Sequence, residues 1–231
     1  MPNNISDKDI NIKISNIHSV LKINGDFSRE LVEQKMVVRY FTGNEKVLEL
    51  GGNIGRNSLV IAHILKNKNN LVVIECGKSD AKILTENRDL NNFNFHIETS
   101  ALSKRKLIQK KWRTKPSYIL QKGYTWVDTI TLRDLKNKYA IKFDTLVLDC
   151  EGAFYYILKD TPEILDNINL IIMENDYKYF FQKKYVDSIL IKNNFYRSYV
   201  ESRTFTNYKH KMFERKGKKY LRENFYEVWK K

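Results

Sequence analysis

The sequence predicts an α/β fold, with a mostly parallel sheet, helices on both faces and an antiparallel C-terminal edge. Runs 47–50, 71–74, 145–148 and 170–173 are almost wholly apolar, and strands of that kind are buried on both faces, as in parallel sheets. Segments of helical periodicity separate them, so strand and helix alternate along the chain. Each run also ends in or beside a carboxylate: Glu49, Glu75, Asp149 and Glu174. In a parallel sheet the carboxyl ends of the strands share one edge, and ligands bind in the crevice there.

Residues 1–24 alternate weakly, with Ile10, Ile12 and Ile14 on one face, which predicts a small hairpin or a loose arm. Phe27, Leu31, Val32, Met36, Val38 and Tyr40 predict a helix over 27–41, capped by Asp26 or Ser28. Residues 1–38 are thus expected as an N-terminal arm and helix, and 39–231 as the main domain. Within it, strand 47–50 runs through a glycine-bearing loop into a helix over 58–65. Strand 71–75 leads to a helix over 79–90, and 93–98 forms the next strand. Further on come a strand over 127–130, a helix over 132–139, strand 145–149, a short helix over 154–158, strand 169–174 and a helix over 185–192. Runs 195–200 and 225–229 read as strands that pair antiparallel at one edge.

Segment 103–125 breaks the alternation. It holds eight basic residues and no acid, with Trp112, Tyr118 and Tyr124 among them, a composition suited to phosphates or to stacking on bases and sugars. Residues 203–222 are also strongly basic. Together they localise part of the net charge of +14, which leaves nucleic acid open as a partner. The 231 residues suffice for one full α/β core. Two cysteines, Cys76 and Cys150, give neither a disulfide framework nor a zinc site. A polar start without a signal-type apolar stretch, and no run of membrane-spanning length, lead to the expectation of a soluble cytoplasmic protein.

The chemistry gathers at the strand ends. In Glu49-Leu50-Gly51-Gly52-Asn53-Ile54-Gly55 the glycines permit a tight turn and close backbone approach to a ligand. Glu75 lies 20 residues beyond Gly55, where dinucleotide-binding sheets place the carboxylate that accepts from a ribose diol. That spacing suits adenosine. Glu49 at the start of the loop would repel a pyrophosphate, whereas a ligand carrying ammonium and sulfonium groups suits it, so S-adenosylmethionine fits better than NAD.

Glu49-x-Gly51-x-Asn53-x-Gly55 resembles the first motif of class I S-adenosylmethionine-dependent methyltransferases, and its Gly-x-Asn-x-Gly form resembles the FkbM family. Phe143 through Asp149-Cys150-Glu151-Gly152-Ala153 is similar to that family's strand ending in D-x-E-G-A. Ser100-Ala101-Leu102-Ser103 and Thr129-Ile130-Thr131-Leu132-Arg133-Asp134-Leu135 are similar to its A-L-S and T-x-T-L-x-D-L segments. The match spans about 46–176. The resemblance implies a Rossmann-like fold in which Glu49, Gly51, Asn53 and Gly55 hold the methionine part, Glu75 the ribose, and Ser100 and Ala101 line the adenine pocket. It implies O-methylation of a hydroxyl on a sugar, glycan or glycosylated small molecule, with residues 1–38 toward the acceptor. RNA ribose 2′-O-methylation, or a basic nucleic-acid-binding module on the same fold, is the alternative. Asp149 and Glu151 are the candidate catalytic groups, and Asp149, Glu174 and Asp176 the candidate ligands of a divalent cation such as Mg or Mn.

Overall fold

Apolar runs bounded by turns fold here into the middle of a single sheet. The computed structural model describes residues 5–202, 212–215, 218–221 and 225–231. Helices α1 (Asp7–Val20) and α2 (Leu31–Tyr40) precede β1 (Val47–Leu50), α3 (Arg56–Ile64), β2 (Leu71–Ile74), α4 (Lys78–Leu90), β3 (His96–Glu98) and the short β4 (Ala101–Leu102). An antiparallel excursion follows: β5 (Leu107–Lys110), β6 (Arg113–Pro116) and β7 (Thr125–Val127). The chain returns through β8 (Thr129–Ile130), α5 (Leu132–Tyr139), β9 (Thr145–Leu148), α6 (Ala153–Asp160), β10 (Leu170–Asn175) and α7 (Phe180–Lys192). It ends with β11 (Tyr196–Ser202), β12 (Met212–Arg215), β13 (Lys218–Leu221) and β14 (Phe225–Lys230).

The central sheet runs β11-β14-β10-β9-β1-β2-β3. The five strands from β10 to β3 are mutually parallel, while β14 lies antiparallel between β10 and β11. Strand order builds outward from β1 through β2 to β3, then returns to the other side of β1 at β9. Between β1 and β9 the loops leave toward opposite faces, and that divergence opens a crevice at the carboxyl ends.

Alternation along each strand divides the core in two. Leu48, Leu50, Val72, Ile74, Leu146 and Leu148 pack with α5, α6 and α7 on one face, whereas Val47, Val73, Val147 and Ile172 pack with α1 to α4 on the other. The hairpin or loose arm expected over 1–24 is instead α1. Ser6 caps it, accepting from Asp9 N–H, and Ile10, Ile14 and Ile17 are buried while Ile12 points to solvent. The spacing that matters is therefore i, i+4, i+7, on top of an accidental alternation. Helix α2 starts later than expected, at Leu31. Asp26 forms a local turn to Ser28 N–H (2.8 Å), and Glu30 at the helix start is left-handed with no side-chain cap. Helices α3, α6 and α7 begin earlier than the sequence periods indicated, and β3 is confined to His96–Glu98.

At the antiparallel edge, Lys183 of α7 is fully buried between the rings of Phe225 and Trp229, each about 5.6 Å from its ammonium. It pairs with Asp187 and, at 2.9 Å, with Glu227. The Glu227 carboxylate also accepts from Arg197 (3.0 Å) and Trp229 Nε1 (3.0 Å). Asn175 Nδ2, at the end of β10, lies 3.3 Å from the same carboxylate, so the network fixes the strand end that carries Glu174. Removing one partner from such a buried set costs about 3–5 kcal/mol, because the other charge is left uncompensated.

Candidate active site

Each carboxyl-end loop contributes by a local device. Gly51 follows β1 with φ +91°, and a Cβ there would stand 1.7 Å from the Asp149 carbonyl oxygen, so the turns after β1 and β9 touch backbone to backbone. Asn53 is itself left-handed and its Oδ1 accepts from Ile54 N–H (2.8 Å). After β9, Glu151 and Gly152 are both left-handed, turning the chain sharply into α6.

Between these turns lies a cavity that opens at the carboxyl edge of the sheet. Gly51, Asn53, Glu75, Ser100, Ala101, Asp149 and Glu151 line it, so seven sequence-predicted residues come together. Both Glu75 oxygens accept from backbone: Oε2 from Asn53 N–H (2.8 Å) and Oε1 from Gly77 N–H (2.6 Å). Burial raises its proton affinity, and these two bonds oppose the rise. Ser100 Oγ is buried without a hydrogen-bond partner among the described residues, an unused donor at the cavity wall.

Two of the predicted cofactor-binding residues lie elsewhere. Glu49 is not in the cavity. Strand alternation turns its side chain to the α3 face, where Oε2 accepts from Ser58 Oγ (2.6 Å) and Oε1 from Asn57 Nδ2 (3.1 Å). Burial pushes its carboxyl up to about 8, so the charge expected to meet a cationic ligand is neutral and internal. Gly55, at φ +97°, opens α3 and is likewise outside the cavity lining. Glu30 accepts from Arg56 Nη1 (3.0 Å) at the first turn of α3.

Asp149 is shared with a second recess, lined also by Arg29, Glu30, Glu33, Glu151 and Glu174. One carboxylate oxygen each of Glu33, Asp149 and Glu174 lie within 4.8 Å of one another. Asp176 is not in that group. It follows the end of β10 on the Gly152 side, where burial raises its carboxyl to about 8; Glu33 of α2 stands with Asp149 and Glu174 instead. Burial, then the charge of Glu174 and a hydrogen bond to it, raise Asp149 well above the carboxylate range.

Sequence reasoning also missed Leu102, Leu107, Gln109, Trp112 and Thr114 as individual lining residues, although it marked 103–125 as a ligand-facing candidate. The sheet β6-β5-β7 of this segment roofs the cavity. The basic stretch 203–222 lies outside the described residues, apart from the backbone pairing of β12 with β13.

The arrangement is the Rossmann-like fold of class I methyltransferases, mostly parallel with an antiparallel edge. Among solved structures, the chain is similar to a ribosomal protein L11 methylase from Lactobacillus delbrueckii subsp. bulgaricus, at 11% identity and TM-score 0.50, covering 90% of this chain and 80% of that one. It is similar at the same TM-score and identity to a precorrin 8w decarboxylase from Methanobacterium thermoautotrophicum (92% and 97% covered). An O-methyltransferase from Bacillus cereus solved with SAH superposes at 12% identity and TM-score 0.49, covering 99% and 93%. No family model and no curated protein matches the sequence. Similarity at this identity defines the fold, and the site must define the chemistry. Among the described residues no helix is long and apolar enough to cross a membrane.

Proposed function

We propose that the chain is an S-adenosylmethionine-dependent O-methyltransferase acting on a hydroxyl of a sugar, glycan or glycosylated small molecule, as its resemblance to the FkbM family implies. The observation that carries the reading is the order of the strand ends that line one cavity: Ser100 after β3, Glu75 after β2, Gly51 and Asn53 after β1, and Asp149 after β9. That order matches adenine, ribose, methionine and reacting centre. The unused Ser100 hydroxyl and the backbone-oriented Glu75 carboxylate fit a base and a diol. Bound there, the cofactor supplies an electrophilic methyl carbon whose bonding electrons leave with sulfur.

Asp149 would take the acceptor's proton as the oxygen is methylated, and a proton affinity raised by burial supports that role. The turn through Glu151 and Gly152 holds Asp149 at the junction of the two recesses. Glu33, Asp149 and Glu174 form an all-oxygen donor set of the kind that hard divalent cations prefer, and they would hold Mg or Mn there. Such an ion would lower the pKa of a hydroxyl.

The acidic lining of the acceptor-side recess favours a neutral polyol over RNA, since phosphates would meet five carboxyl groups, Asp149 among them. The deciding experiment pairs calorimetry with a transfer screen over sugars, glycans and short RNAs, with and without a divalent cation. We expect S-adenosylmethionine to bind, and Glu75→Gln to weaken it by roughly 10- to 100-fold through two charge-assisted bonds. Unchanged affinity in that variant would remove the cofactor assignment. Methylation of RNA alone would overturn the sugar reading, and turnover that survives chelation would assign Asp149 as a simple base.

A further inference from the structure

The roof of the cavity has an outer face, and strand register determines what covers it. Strand β6 ends with Pro116 opposite Leu107, and β7 begins with Thr125 opposite Gln109. Both flank β5 antiparallel, so residues 117–124 must travel back along β5 across one face of this small sheet. The cavity face carries Leu107, Gln109 and Thr114. Ile108, Lys115 and Trp126 stand opposite one another on the outer face, with Ile108 fully buried beneath. Lys115 donates to Gln121 (2.6 Å) and sits 4.4 Å from the Tyr124 ring centre, which pins the crossing segment there.

That segment presents apolar side chains to solvent. Tyr118 is 93% exposed and Ile119 71%, next to the half-exposed Leu120, and Trp126 on the outer face is also exposed. Consecutive large apolar residues in water mark an interaction surface more often than chance exposure does. The charge around them has one sign. Lys104 and Arg105 are engaged by Glu163 and Asp160, but Lys106, Lys110, Lys111 and Lys122 have no carboxylate within ion-pair distance among the described residues.

We propose that this outer face docks on an anionic lipid surface. Ile119 and Leu120 enter the boundary between headgroups and acyl chains, Tyr118 and Trp126 sit at headgroup depth, and the lysines meet anionic headgroups. Single-stranded nucleic acid is the other anion that basic aromatic surfaces bind, by stacking bases on rings. The two aliphatic chains at the most exposed point have no role in such a platform, whereas a lipid interface gives them burial. One short apolar insertion plus a basic patch gives reversible, salt-sensitive attachment. The inference is independent of the methyl-transfer reading.

The test is flotation of the full chain with vesicles of phosphatidylcholine, with or without phosphatidylserine. We expect partitioning at least about tenfold stronger when phosphatidylserine is present. Brominated acyl chains should quench Trp126 but not the buried Trp229. The double substitution Ile119→Asp with Leu120→Asp, at exposed positions outside the cavity, should weaken binding about tenfold or more while the circular dichroism spectrum and S-adenosylmethionine affinity stay at the parent values. Replacing Lys106, Lys110, Lys111 and Lys122 by Ala should abolish the preference for phosphatidylserine. Equal binding to both vesicle types, no quenching, or parent-like binding by the double variant overturns the proposal. Loss of single-stranded RNA binding in the double variant with vesicle binding intact would assign the face to nucleic acid.

Discussion

Glu49 holds a proton in the folded chain that the unfolded chain releases. Its folded pKa of about 8 lies above the ordinary value of 4.5, so the folded state binds more protons between those limits. Stability is therefore fullest below the unfolded value and falls as pH rises toward 8. Glu49→Gln keeps the shape and the bonds to Ser58 and Asn57 but cannot ionise. Denaturant melts at about pH 5 and about pH 8 should differ by less in this variant, the difference removed being at most on the order of 4 kcal/mol. An identical slope in both proteins would place a charged Glu49 in the folded state. At the reacting end, Asp149→Asn should lower kcat roughly 10²- to 10⁴-fold and leave S-adenosylmethionine affinity within a few-fold, read by transfer kinetics and calorimetry. A collapse of cofactor affinity instead would make Asp149 a binding group.

Helix α1 tests how a periodicity is read. Ile10 and Ile14 are buried against α2 and α3 while Ile12 is half-exposed, so Ile10→Ala or Ile14→Ala should each cost about 2–4 kcal/mol and Ile12→Ala no more than about 0.5. Equal costs at all three would return the segment to a strand. The same element shows where sequence stops being informative. Strands β1, β2, β9 and β10 were legible because burial on both faces forces an unbroken apolar run that few other structures need. Over 1–24, three isoleucines at spacing two satisfied a strand template, and the exposure of Ile12 together with the burial of Ile17 separates the helix from it. Glu75 and Asp149 were legible because their positions follow from strand ends. Glu33 was not: an acid in an amphipathic helix looks like any solvated side chain until tertiary packing brings α2 over the carboxyl edge. Glu49 failed for a simpler reason, since adjacent strand residues face opposite ways and spacing alone does not say which face holds the ligand.

On the scale of the whole molecule, charge is segregated. A chain of net charge +14 places five carboxyl groups around one recess at the sheet edge and concentrates lysines on the roof. Cofactor binding should couple to global stability, because the cavity joins the turns after β1, β2 and β9. At a hundredfold excess over Kd, S-adenosylmethionine should add about 2.7 kcal/mol and raise Tm by about 5–10 °C, measured by calorimetric scan. No rise at saturating cofactor would mean that these turns are already fixed without it, or that they do not bind it. The roof itself hangs from two residues on either side. Ala101 pairs with Thr129 and Leu102 with Ile130, in parallel, so the excursion leaves and rejoins the body of the protein one strand spacing apart. An appendage with neighbouring end points can be lengthened, shortened or exchanged between relatives without re-registering the sheet. Such a chain can acquire a new docking partner or a new acceptor by trading this one module, leaving the machinery beneath it untouched.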